Sequence, residues 1–230
     1  MIKSPQSLAK ALDLRFNDID LLKRALTHRS AANWNNERLE FLGDSVLGFV
    51  IAEHLYQSFP KADEGTLSRL RATLVNQTAL ASIARDIGLG DYLILGSGEL
   101  KSGGFRRDSI LSDALEAIIG AILLDQGIDS CRTWISALFK TPIAKLSTAD
   151  GKKDPKTCLQ ELMQSRGLQL PTYQLISTDG QPHAQQFHVE CSVELFPVPS
   201  SGDGSSRKRA EQQAAENMLQ RLSEELKFKL

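Results

Sequence analysis

Cysteine is sparse in this chain and poorly spaced for chemistry. The 230 residues hold three, Cys131, Cys158 and Cys191, with no CxxC pair and no Cys/His spacing that suits zinc. Such an odd, scattered set fits reduced thiols and a cytoplasmic location, not a disulfide framework. Long apolar runs are missing too. Residues 117–124 form one of the longest, far short of the roughly 18 that a membrane span needs. The opening stretch MIKSPQSLAKALDLR lacks the apolar centre of a secretory signal. No sign of charge dominates: 27 Lys plus Arg against 28 Asp plus Glu leave a net −1, so bulk charge names no partner. Residues 93–108 are glycine-rich but have neither the Lys-Ser/Thr ending of a P-loop nor a GxGxxG, which argues against a nucleotide cofactor and for a surface loop. There is no GxSxG elbow and no HExxH, and His28 and His54 read as structural.

What is present is an ordinary globular composition, 41% hydrophobic and 24% charged, long enough for one or two domains. Helical spacing runs through the first two thirds. A long helix is expected over 37–58, closed by Pro60. A second should run from about residue 66 toward Gly88, carried by Leu67, Leu70, Leu74 and Leu80, and two more over 109–126 and 130–146. Residues 148–154 are polar and turn-rich and read as a linker between a first domain, 1–147, and a second, 155–227. In the second, a helix over 155–167 precedes alternating stretches at 172–178 and 186–196 and a last helix over 205–227. Pro197 and Pro199 cannot donate to a ladder, so any third strand should be short or at an edge.

The chemistry is expected in the carboxylates. Glu37, Glu40 and Asp44 stand at i, i+3 and i+7, within about 60° of one another on a helix. Alone, such a stripe reads as a solvated acidic face. Asp113 and Glu116 repeat the i, i+3 relation in a helix otherwise rich in Ala, Ile and Leu, where carboxylates are scarce unless partnered. If the two helices pack, Glu40, Asp44, Asp113 and Glu116 converge. A hard divalent cation, Mg²⁺ or Mn²⁺, would relieve their repulsion and serve phosphodiester hydrolysis.

The run NERLEFLGDSVLGFV (36–50) resembles the signature of the ribonuclease III family, closest to its bacterial members. Residues 26–30 (LTHRS), 59–81, 95–125 and 154–164 resemble the same family in the same order, across essentially the whole chain. The resemblance implies an all-α endonuclease domain that works as a homodimer, followed by an α+β (α-β-β-β-α) double-stranded RNA-binding domain. It implies that Glu40, Asp44, Asp113 and Glu116 bind metal, with Asp44 and Glu116 catalytic, and that Glu37 and Glu64 are further acids of the same valley. The expected substrate is double-stranded RNA, ribosomal precursors included, cut to 5′-phosphate and 3′-hydroxyl ends with short 3′ overhangs.

In the second domain the resemblance assigns RNA contacts to Thr157, Gln160 and Glu161, to Gln181, Pro182 and His183, and to Ser206, Arg207, Lys208 and Arg209. Residues 154–230 carry 8 Lys plus Arg against 10 Asp plus Glu, so RNA would be held by the local cluster at 207–209 and not by the domain's overall field. Basic residues in a first helical turn oppose the helix dipole, and an anion would account for them. Two other readings are weighed: a non-catalytic RNA-binding protein on the same scaffold, which the loss of any of the four carboxylates would favour, though none is lost, and a hydrolase of small phosphate esters, against which the RNA-binding tail argues.

Overall fold

The computed structural model describes residues 2–151, 153–181 and 184–225, and divides the chain into two compact units, Met1–Lys152 and Lys153–Leu230. The first is helical: α1 Pro5–Ala11, α2 Ile19–Ala25, α3 Glu37–Ser58, α4 Glu64–Val75, α5 Gln77–Asp86, α6 Ser97–Lys101 and α7 Asp108–Ala144. Short polar side chains set the starts. Ser4, Asp18, Asp63 and Asn76 each accept a backbone N–H of the first turn of α1, α2, α4 and α5, at 3.2, 2.9, 2.6 and 3.0 Å.

The unit is built around α3 lying on α7. Leu39, Leu47, Val50, Ile51 and Leu55 of α3 are buried with Ile118, Ile119 and Ile122 of α7 in one continuous core, each side chain contributing roughly 1.5–3 kcal/mol on burial. The helix expected from residue 66 to Gly88 is two helices, because Asn76 is extended (φ −74°, ψ 158°) and caps α5. The glycine-rich loop contains α6 and a 3₁₀ turn, Gly104–Arg106. The last two expected helices form α7, broken at Gly127, whose φ of 81° is left-handed.

The stretch read as a linker differs at its start. Gly151 is buried on α4, its carbonyl accepting Arg69 Nε at 2.6 Å, so residues up to there fold with the first unit. Its end, Asp154, caps the next helix by accepting Thr157 N at 3.1 Å.

The second unit runs α8 Pro155–Ser165, β1 Thr172–Asp179, β2 Gln186–Val193, β3 Phe196–Gly204 and α9 Arg207–Glu225. The sheet is antiparallel in the order β1-β2-β3. Its inner face, Val189, Cys191 and Val193, is buried with Leu159 and Met163 of α8 and Ala210, Ala214, Met218 and Leu222 of α9. The third strand lies at an edge as expected but is nine residues long, not short. Val193 pairs with Phe196 and Cys191 with Ser200, so four positions of β3 span two of β2. Both prolines fall in that bulge, where no regular ladder bond is required of them.

Candidate active site

Two glycines set the geometry. A Cβ on Gly43 would lie 1.8 Å from the carbonyl oxygen of Glu116, and one on Gly120 would lie 2.2 Å from that of Leu39. The backbones of α3 and α7 therefore meet where each helix carries its carboxylates. As a result, oxygens of Glu40, Asp113 and Glu116 lie within 4.8 Å of one another, all three side chains half-buried.

The electrostatics follow from that crowding. Burial, then Asp44, Asp113 and Glu40, push the Glu116 carboxyl up to about 8. Glu40 is raised by burial and then by Asp113, with Glu37 and Asp44 adding to it. Asp113 is raised by burial, partly opposed by the hydrogen bond from Ser112 and by His28 and Arg29. Three oxygen donors that repel one another when ionised fit a hard divalent ion.

Asp44 is exposed; it stands outside the tight group but close enough to act on Glu116 and Glu40. Glu37 is exposed and faces Arg29 Nη1 at 3.5 Å. Glu64 accepts the Ser68 hydroxyl at 2.8 Å and lines a separate groove with Tyr56, Leu67 and Arg71; a single chain does not bring it to the cluster.

In the second unit, Thr157, Gln160 and Glu161 lie on the exposed face of α8, opposite Leu159 and Met163. Thr157 Oγ1 donates to Asp154 at 2.7 Å, and Lys153 Nζ holds Glu161 at 2.7 Å. Gln181 is exposed after β1, while Pro182 and His183 lie outside the described residues. Arg207, Lys208 and Arg209 are exposed in the first turn of α9. The Ser206 hydroxyl accepts Arg209 N at 3.3 Å. Arg207 is paired with Glu211 at 2.9 Å, and Arg209 donates to the Ser205 hydroxyl at 3.1 Å. Lys208 forms no ion pair among the described residues.

A family model described as Ribonuclease-III-like matches residues 18–143, and one described as double-stranded RNA binding motif matches residues 155–222. The chain belongs to the ribonuclease III family of double-stranded RNA endonucleases. Ribonuclease 3 of Methylococcus capsulatus is 67% identical over 230 residues, all of both chains. That of Pseudomonas fluorescens is 54% identical over 215 residues, 94% of each. Among solved structures, the nuclease domain of ribonuclease III from Campylobacter jejuni gives a TM-score of 0.59 at 45% identity, covering 62% of this chain and 97% of that one. A second structure of that domain, described for flexibility in a region involved in dimer formation, gives 0.58 at 47% identity, covering 59% and 96%.

One wall of the site is formed by residues outside the carboxylate pattern. A cleft of about 540 Å³ adjoins Glu40 and Asp113 and is lined also by His28, Arg29, Glu99 and Arg107. His28 Nδ1 meets the Ser30 hydroxyl at 2.8 Å, and that hydroxyl accepts Gly96 N at 3.0 Å, so the 28–30 turn is fastened to the supposed surface loop. The available signal is that both arginines fall in stretches, 26–30 and 95–125, that resemble the family.

Proposed function

We propose that this ribonuclease III hydrolyses double-stranded RNA at a Mg²⁺ site formed by Glu40, Asp44, Asp113 and Glu116, with Mn²⁺ as a substitute. The convergence of three carboxylates at the glycine-locked crossing of α3 and α7 carries this reading. When bound, the ion activates water and stabilises the leaving 3′ oxygen. The chain's own part is to hold the donors together and to surrender the proton of Glu116, Asp44 and Glu116 being the catalytic pair. The products are 5′-phosphate and 3′-hydroxyl ends with short 3′ overhangs. Precursors of ribosomal RNA and other structured transcripts, in the cytoplasm, are the proposed targets.

The first unit is proposed as the catalytic and dimerising domain, the second as the RNA-binding domain. A homodimer is supported by α3, where Phe41, Phe49 and Tyr56 are 77%, 54% and 73% exposed within one helical stripe. The groove holding Glu64 also includes Ala52 and Tyr56 of that stripe, so a partner seated there would bring Glu64 to the seam and to the valley. Thr157, Gln160, Glu161, Gln181, Pro182, His183 and Ser206–Arg209 are the proposed RNA contacts. They suit recognition of A-form shape, 2′-hydroxyls and phosphates, without sequence reading.

The test is labelled duplex RNA with and without Mg²⁺, with the product ends determined. Glu116→Ala and Asp113→Asn are expected to bind the duplex and leave it uncut, and Ca²⁺ to support binding without turnover. Near-normal cutting by either variant would discard the cluster.

A further inference from the structure

The cleft beside the carboxylates poses an electrostatic problem. Its walls carry Glu37, Glu40 and Asp113, and the strand to be cut is a chain of phosphates. A cation on the carboxylates offsets the scissile phosphate, but its neighbours on the same strand still face acidic side chains. Fixed positive charge is needed next to the cluster, and two arginines line this cleft.

Both are prepared for an anion. Arg107 precedes α7, and its Nη1 is held at 2.9 Å by Glu99 Oε1. Glu99 is 19% exposed and Arg107 52%, so a covered carboxylate presents a guanidinium to solvent with donors to spare. Glu99 also accepts the Ser102 hydroxyl at 3.3 Å and lies close against Gly104, which has no Cβ to displace it. Arg29 rides on the fastened 28–30 turn. Its contact with Glu37 is long, at 3.5 Å, and both groups are exposed, so the pair is weak and exchangeable. The guanidinium fork suits phosphate, and the Ser109 hydroxyl lines the same cleft.

We propose that Arg29 and Arg107 form an anion subsite that holds a backbone phosphate of the RNA strand next to the one being cut. The inference rests on the proposed duplex-RNA cleavage and makes these two arginines positioning residues of it.

The test is initial-rate cleavage of end-labelled duplex RNA in Mg²⁺ over a KCl series, for the full chain, Arg29→Ala, Arg107→Ala and Arg107→Lys. Each alanine variant is expected to raise KM about tenfold, by more than kcat falls, as loss of one charge-assisted contact implies. The slope of log KM against log [KCl] is expected to flatten by roughly one counterion, about 0.9 on the B-DNA scale. Arg107→Lys restores the slope, since the charge returns. If Arg107 only anchors Glu99, its alanine variant loses thermal stability and kcat while the slope stays, which overturns the proposal for that residue. Should Arg107→Ala not fold, Arg29→Ala decides by the same slope. Binding of the same duplex in Ca²⁺ gives the slope without turnover. Failure of the unsubstituted chain to cut thus counts against the proposed function, and an unchanged binding slope counts against the subsite.

Discussion

Gly43 of α3 stands so close to Glu116 of α7 that a Cβ would lie 1.8 Å from the Glu116 carbonyl oxygen. The contact is with backbone, which has no rotamer by which to yield. Glycine here fixes the interaxial distance, and that distance in turn keeps Glu40 beside Glu116.

Gly43→Ala is therefore expected to force α3 and α7 apart. Overpacking of a tight core costs about 1–3 kcal/mol or more. The unfolding midpoint of the first unit should fall by several degrees, at roughly 2–4 °C per kcal/mol. Cleavage should fall further than the fraction unfolded accounts for. Gly98→Ala is the control, because no atom lies within 4 Å of its added Cβ. It should stay within about 0.5 kcal/mol of the original chain. Thermal melts and cleavage rates on both variants check this.

The second prediction concerns pH. Without metal, the folded chain keeps a proton on Glu116 up to about 8, whereas the unfolded chain releases it near 4.5. Between those values the folded state binds more protons, so this group's contribution to stability is full below 4.5 and is lost as pH rises to 8. Glu116→Gln carries no such proton. In chelator, its melting temperature should exceed that of the original chain near pH 8, and the gap should narrow toward pH 4.5. Apparent Mg²⁺ affinity of the original chain should rise with pH over the same window, because metal and proton compete for the same oxygen. Melts and metal titrations at several pH values read both trends.

Assembly gives a third. Phe41 is 77% exposed at the head of the α3 stripe. Sedimentation at micromolar concentration is expected to show a dimer, and Phe41→Glu a folded monomer with cleavage strongly reduced. A Phe41→Glu chain that still sediments as a dimer would move the seam elsewhere.

Lys208 gives the fourth. Arg207 is already committed to Glu211 at 2.9 Å, whereas Lys208 has no carboxylate partner among the described residues. Lys208→Ala should weaken binding to all duplexes alike and shrink the salt slope by about 0.9 on the B-DNA scale. Turnover at saturating RNA should hold, because the carboxylates lie in the other unit. Residues 1–152 alone should still cut duplex RNA at low salt. Filter binding over a salt series and cleavage by the shortened chain test these points.

Periodicity puts Glu40 on one helical stripe and Asp113 with Glu116 on another, and a carboxylate in an Ala/Ile/Leu helix is costly to bury unless a partner or a cation meets it, but only the close crossing of α3 and α7 brings the three together. It does not locate the split at Asn76, where leucines continue the helical spacing across a cap that only the backbone angle reveals. Nor does it show the arginine wall. Arg29 and Arg107 are 78 positions apart in the sequence, and they share a cleft because residues 26–30 are bonded to Ile94 and Gly96 at the start of the loop that leads to Arg107. The β3 prolines argue for a short strand because a two-residue mismatch in pairing is invisible from one strand alone.

That mismatch reaches beyond the single domain. An edge strand invites the edge of a neighbouring sheet, and β3 is long enough to accept one. Pro197 and Pro199 remove two donors and lie where the strand bulges out of register, so the edge is a poor template. A strand added along β3 would therefore miss regular ladder bonds over residues 197–199, which disfavours edge-to-edge pairing of two copies on this side of the sheet, β1 being its other edge.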